Sequence, residues 1–222
     1  MWKDRGKYWE NLEEQGTEAW KEERIGLVTA SQLGYLTEKS NLKTPEQIGK
    51  IIAGEEEVFP ESNLEDLARG HHYEGETRDW AAQKFGCKII ERGLCVSKKD
   101  PLFAASVDGE AEEFIIEIKH PRKMYKGIVD YQAAIKNGWT PPKHYYQHIL
   151  PSHFSQMQQG CFVLDKKYCM YIVRDIYSGE IFTQKIPFLL EYWVPTAELA
   201  RKNYKKYVVS HLKPGYPRFK KF

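Results

Sequence analysis

No stretch of this 222-residue chain approaches the ~18 consecutive apolar residues of a membrane-spanning helix, and the opening Met1-Trp2-Lys3-Asp4-Arg5-Gly6-Lys7 mixes charges with no apolar run behind it. The expectation is a soluble protein that works inside the cell. Cysteine is scarce: Cys87, Cys95, Cys161 and Cys169 form two pairs spaced by eight, and no C-x-x-C occurs. Zinc ribbons and iron–sulfur centres need tighter spacing, so reduced, partly buried thiols in strands are the better reading. His71-His72 and His144-x-x-x-His148 have ligand-like spacing, but no Cys or acid at a matching distance completes a zinc set. A Gly-rich loop ending in Lys-Ser/Thr is missing, which removes NTP-driven translocation. No repeat, low-complexity tract or Gly/Ser linker divides the chain. One domain over residues 1–222 is expected, able to bury roughly 70–75% of its extended surface.

What is present is charge, unevenly spread. Lys and Arg number 33 against 31 Asp and Glu, yet residues 1–80 hold 10 bases and 18 acids, while residues 141–222 hold 13 and 5. The last 22 residues carry eight bases (Arg201, Lys202, Lys205, Lys206, Lys213, Arg218, Lys220, Lys221) and no acid, interleaved with Tyr204, Tyr207, Tyr216 and Phe219. Such a segment suits a polyanion, because each neutralised phosphate releases counterions; it is equally the composition of a solvated helix face and tail.

The pattern predicts helices first. One spans about 7–23, a short one starts at Thr29-Ala30-Ser31-Gln32, and Thr44-Pro45-Glu46-Gln47 is a capping box with Pro at the first helical position. A longer helix, capped by Asn63 and carrying Leu64, Leu67, Ala68, Tyr73, Trp80, Ala81 and Phe85, ends at Gly86. Strands follow over 88–96, 102–107 and 114–118, then helices over 126–137 and 153–159, the second stopped by Gly160. Strands over 168–174 and 180–186 precede a last helix from Leu189 that must bend at Pro195. The order implies an α/β fold with a central mixed sheet flanked by helices, a helical part over about 1–86 and a basic helix and tail over about 189–222.

Chemistry concentrates in 103–121. Asp108 closes one predicted strand at a turn, while Glu117 and Lys119, two apart on the next, project from one face. Two carboxylates and the Ile118 carbonyl are hard oxygen donors suited to Mg²⁺, and a lysine beside a metal-bound water can orient it. Alone, the same residues are also the polar positions of an alternating strand and its Asp-Gly turn.

Asp108 followed by Glu117-Ile118-Lys119 resembles the PD-(D/E)XK nuclease motif, and four further blocks in order resemble the lambda-exonuclease or YqaJ-like viral recombinase family. They are Arg24…Thr29-Ala30-Ser31, Gly70-x-x-x-Glu74-x-x-x-Arg78, Ser106-Val107-Asp108-Gly109 and His153-x-x-Gln156-x-Gln158. Val107 replaces the motif's Pro, a turn-shaping position that binds nothing, and His153 stands where the family often has Tyr.

The resemblance implies a restriction-endonuclease-like core and a catalytic set of Asp108, Glu117, Lys119, Gln156 and Glu74. Asp108, Glu117, the Ile118 carbonyl and Glu74 would bind two Mg²⁺ ions, with Mn²⁺ as a substitute, and Lys119 and Gln156 would position the attacking water. Arg24, Ser31 and Ser106 would hold a terminal 5′-phosphate. The residues by themselves also allow Glu74 to be a surface acid paired with Arg78 at i,i+4, Ser31 to be an ordinary cap and Arg24 a surface arginine. The implied activity is 5′-to-3′ degradation of double-stranded DNA from its ends, releasing 5′-mononucleotides and leaving 3′ single strands for recombination. A homotrimeric ring, a single-strand annealing partner, a viral or phage source and a place in the host cytoplasm or nucleus come with it. The rivals are an endonuclease or RNA-degrading nuclease of the same fold and a nucleic-acid-binding module with a vestigial site.

Overall fold

The computed structural model describes residues 1–39, 42–55 and 64–217, the side chains of 64–71 excepted. The Asn63 cap, the apolar positions 64–68, His71 and the last bases of the tail therefore lie outside the described residues. The chain opens not on the helix expected over 7–23 but on two antiparallel strands, β1 (Trp2–Asp4) and β2 (Tyr8–Asn11), so the helical character of 1–86 starts late. The reason is tertiary. Glu10 on β2 is 4% exposed, which its charge permits only because Arg5 (2.5 Å) and the distant Arg92 (3.7 Å) neutralise it. Gly16, at φ +91°, then turns the chain into α1 (Glu18–Arg24), capped by the Thr17 hydroxyl.

β3 (Val28–Thr29) leads into α2 (Ala30–Leu36), and α3 (Pro45–Ile52) begins at the expected Thr44/Gln47 capping box. After α4 (Leu64–Phe85) come β4 (Leu94–Ser97), β5 (Phe103–Ala105), β6 (Gly109–Glu110) and β7 (Phe114–Lys119). Helices α5 (Lys126–Lys136) and α6 (Pro151–Leu164), strands β8 (Tyr168–Arg174) and β9 (Ile181–Pro187), and α7 (Leu190–Tyr207) with Pro195 inside it complete the order.

The strands form two mixed ladders rather than one sheet: β1-β2-β4-β5-β3, with β3 and β5 parallel, and β6-β7-β8-β9, with β7 and β8 parallel. An isolated bridge pairs Glu110 of β6 with Ile90 ahead of β4, and the Glu110 carboxylate ties the ladders together by accepting from Tyr8 Oη of β2 (2.7 Å); it also accepts from Arg92 Nε (2.6 Å) and pairs with Lys166 (2.7 Å). Helix α6 packs on β4, β5, β7 and β8 and so covers both ladders. Gly160 does not stop this helix. It lets α6 approach β7, since a Cβ there would stand 2.6 Å from Ile115 Cδ1, and the helix ends instead at Asp165 in the left-handed conformation. The main core lies under α6 (Phe103, Ile115, Met157, Cys161, Tyr171, Trp193), and α4 covers the other face of β7 and β8 with Ala81 against Ile116, Ile118 and Ile172.

Cys95 and Cys169 are buried strand thiols as expected, whereas Cys161 sits in α6 and Cys87 follows α4; all four are free. Part of the basic end is spent inside the molecule: Arg201 pairs with Asp100 (2.6 Å) and His211 with Glu55 (2.8 Å). Among the described residues no helix is long and apolar enough to cross a membrane.

Candidate active site

The strand alternation of β7 sends Ile116 and Ile118 into the layer under α4 and Glu117 and Lys119 to the face beneath α6. Glu117 is 2% exposed; its Oε1 accepts from Lys119 Nζ at 2.5 Å, and Lys119 also reaches Gln156 Oε1 on α6 at 3.4 Å. Asp108, in the bend before β6, accepts the Ile118 N–H on Oδ2 at 2.6 Å. The N–H and C=O of one strand residue leave by the same edge, so the Ile118 carbonyl turns toward Asp108 while Glu117 and Lys119 direct theirs to β8.

Glu74 approaches from α4. Its Oε1 lies 3.0 Å from Arg78 Nη2, and Arg78 Nε donates to the Asp108 carbonyl at 2.6 Å, with Nη1 on Glu91. Arg78 is therefore more than an i,i+4 surface partner: it straps the Glu74 helix to the Asp108 bend. Burial, then the Asp108 charge, pushes Glu74 up to about 7 against the pull of Arg78. Burial drives Glu117 up to about 8, with Asp108 and Glu74 adding repulsion that Lys119 only partly offsets. Burial opposes the Lys119 charge as well, but Glu117 and Asp108 outweigh it and the pKa is raised, so this side chain is an ammonium.

Among the described residues no three acidic, His or Cys side chains close around one point; Glu117 is drawn to Lys119, Glu74 to Arg78 and Asp108 to a backbone N–H. The donor set nevertheless fits a hard divalent cation. It is all oxygen, and burial, with mutual repulsion among the Glu74, Asp108 and Glu117 carboxylates added to it, raises the pKa values of Glu74 and Glu117.

A second cluster lies at the end of β3. Arg24 Nη2 donates to Thr29 Oγ1 (3.2 Å), which donates to Gln32 Oε1 (2.7 Å) and lies 3.3 Å from Ser31 Oγ. The guanidinium sits 4.1 Å from the Trp20 ring centroid, and no carboxylate pairs with it among the described residues. Burial lowers its pKa to about 10, so it stays charged at neutral pH. Thr29 is opposite Ala104 in the β3–β5 register, which brings Ser106, just past β5, to the same sheet end, although Ser106 is outside the bonded set. Gln159 Nε2 clamps this end by donating to both Val28 O (2.6 Å) and Ala104 O (2.7 Å).

Gln159 escapes the sequence reading because it acts through partners on other elements. Thr29 and His153 stand in the sequence blocks, but their contacts do not: His153 Nδ1 lies 2.8 Å from Tyr171 Oη and its ring meets Tyr125 edge-on. Burial, then the Lys119 charge, pushes the His153 pKa down to about 3, which keeps it neutral. His144 and His148 are engaged elsewhere, with Tyr146 and Gln184.

The YqaJ-like viral recombinase domain matches residues 19–154. Among solved structures, the alkaline exonuclease LHK-Exo from Laribacter hongkongensis is similar at 21% identity and a TM-score of 0.61, over 86% of this chain and 92% of that one. The same enzyme in complex with dAMP gives 20% and 0.63 over the same shares. A phage related exonuclease from Haemophilus somnus 129PT gives 12% and 0.54 over 82% and 93%. At these identities the likeness carries the fold. Among curated proteins none matches the sequence.

Proposed function

Because the chain belongs to the YqaJ-like viral recombinase domain family, we propose that it is a Mg²⁺-dependent exodeoxyribonuclease. It would degrade double-stranded DNA from 5′ ends, release 5′-mononucleotides and leave 3′ single strands for recombination. The observation that carries this reading is the meeting of Asp108, Glu117, Lys119 and Gln156 beneath α6, with Glu74 strapped in by Arg78. Asp108, Glu117, the Ile118 carbonyl and Glu74 would hold the ions. When bound, Mg²⁺ or Mn²⁺ supplies Lewis-acid stabilisation of the phosphoryl oxygens. Lys119, held charged by Glu117, orients a water together with Gln156 and offsets negative charge as the phosphodiester is attacked. The similar exonuclease with dAMP bound supports a mononucleotide-sized product.

End recognition belongs to Arg24, Thr29 and Ser31, with Ser106 at their margin. A half-buried guanidinium that no carboxylate among the described residues neutralises would serve as an anion receptor. A homotrimeric ring and a single-strand annealing partner are part of the same proposal and rest on the family resemblance alone.

The test is incubation with Mg²⁺ of 5′-phosphorylated linear, 5′-hydroxyl linear and covalently closed duplexes. The expected order of cleavage is phosphorylated above hydroxyl, with closed circles intact. Equal attack on circles would make the protein an endonuclease, and bound but uncleaved DNA would make it a binding module. Arg24→Ala should reduce the preference for phosphorylated over hydroxyl ends by about 10- to 100-fold, the worth of one or two hydrogen bonds to a charged group. An unchanged preference would remove the pocket.

A further inference from the structure

The hydrolytic side chains are attached to two elements that could slide or rotate against each other: Glu117 and Lys119 on β7, Gln156 on α6. Their relative placement must be set by something besides the 3.4 Å Lys119–Gln156 contact, which is at the long end for a hydrogen bond. β8 supplies it. Tyr171 is fully buried beside Glu117, its register partner in the parallel β7–β8 pair, so the two side chains share a face and stand about 5 Å apart at their backbones. The Tyr171 hydroxyl meets His153 Nδ1 at 2.8 Å, and His153 lies one turn before Gln156 on α6, the two side chains on neighbouring parts of the helix surface.

These contacts close a loop: Glu117 to Lys119, Lys119 to Gln156, along α6 to His153, across to Tyr171, and over the strand pair back to Glu117. All five of its side chains donate or accept a hydrogen bond in the loop, and the Tyr171–His153 bond is the member that touches neither the water nor the phosphate of the proposed reaction. Tyr125, at the start of α5, packs its ring on His153 and keeps the imidazole from turning away.

We propose that the Tyr171–His153 hydrogen bond is a positioning device: it pins α6 to the sheet in the rotation that sets Gln156 against Lys119. This rests on the nuclease reading above, since the alignment matters only if Lys119 and Gln156 act together. Neither residue is a catalytic group, so the loss should fall on turnover and spare DNA binding.

The experiment compares Tyr171→Phe, His153→Phe, His153→Asn and the double variant Tyr171→Phe/His153→Phe, with kcat and KM on 5′-phosphorylated linear duplex and a thermal unfolding curve for each. The single Phe variants should lose about 10- to 100-fold in kcat, the size of effect an ångström-scale misplacement produces, with KM unchanged. The double variant should be no worse than the more impaired single one, because both remove the same bond. His153→Asn, whose side-chain amide places a polar atom near the Nδ1 position, should recover most of the rate. Normal turnover in Tyr171→Phe, multiplicative losses in the double variant, or His153→Asn as slow as His153→Phe at an equal unfolding midpoint would each overturn the pin while leaving the nuclease reading intact. Failure of the unaltered protein to cleave DNA would overturn both.

Discussion

Replacing Asp108 or Lys119 by alanine should lower cleavage of linear duplex DNA by at least about a thousandfold, since losing ~4 kcal/mol of transition-state stabilisation already has that effect. The two losses have different origins. In the proposed site Asp108 would contribute an oxygen ligand, and it also satisfies the Ile118 N–H, so its removal would take a ligand and loosen the Ile118 peptide. Leaving that N–H unpaired costs about 1–3 kcal/mol of stability, and Asp108→Asn, which keeps an acceptor, should fold better than Asp108→Ala and be as inactive. Lys119→Ala removes the ammonium that offsets Glu117 and leaves a buried carboxylate that takes up a proton. Near-normal turnover in either alanine variant, with single-turnover cleavage as the measurement, would mean that the hydrolytic centre lies elsewhere.

Mg²⁺ should raise the unfolding midpoint more at pH 8.5 than at pH 6, an effect readable by calorimetry without any substrate. Glu74 and Glu117 have folded pKa values raised from 4.5 to about 7 and about 8. A raised carboxyl binds protons more tightly folded than unfolded, so its stabilisation is complete below about 4.5 and is lost as pH rises through 7 and 8. The metal-free protein is therefore weakened in the alkaline range, where a cation meets no competition from protons. At a hundredfold excess over its Kd the ion contributes ~2.7 kcal/mol, or roughly 5–10 °C for a chain of this size. Glu117→Gln should stabilise the metal-free protein at pH 8.5 and blunt the Mg²⁺ response. An identical Mg²⁺ shift at both pH values would contradict the carboxylate assignment.

The parts of this architecture that could be read in the sequence are those with local causes. The period of two that puts Glu117 and Lys119 on one face needs no knowledge of the rest of the chain, and the Thr44/Gln47 box caps its own helix. Strand β2 was hidden because one of its buried positions is an acid, Glu10, made tolerable by Arg5 and by Arg92 from the segment before β4; without those partners the segment reads as an aromatic, charged helix. Gly160 misleads for a related reason. Its role is close approach to Ile115 across the core, whereas the sequence offers only its helix-breaking tendency. The division into two ladders depends on long-range pairings, β2 with β4 and β3 with β5, that no periodicity records. At the site the acids and the lysine stand in a motif, while Arg78's reach to the Asp108 carbonyl and the Tyr171–His153 contact exist only after folding.

Gln156 and Gln159 sit on the same short helix, and the first reaches Lys119 while the second clamps Val28 and Ala104. Only about 4.5 Å of axial rise separates them. Under the proposed function a rod that short would act as the fixed gauge between the jaws of a caliper, one jaw at Lys119 and the other on the strand end beside Arg24. Its stride along a polymer would then be dictated by covalent geometry and stay uniform when temperature or salt loosens the surrounding loops.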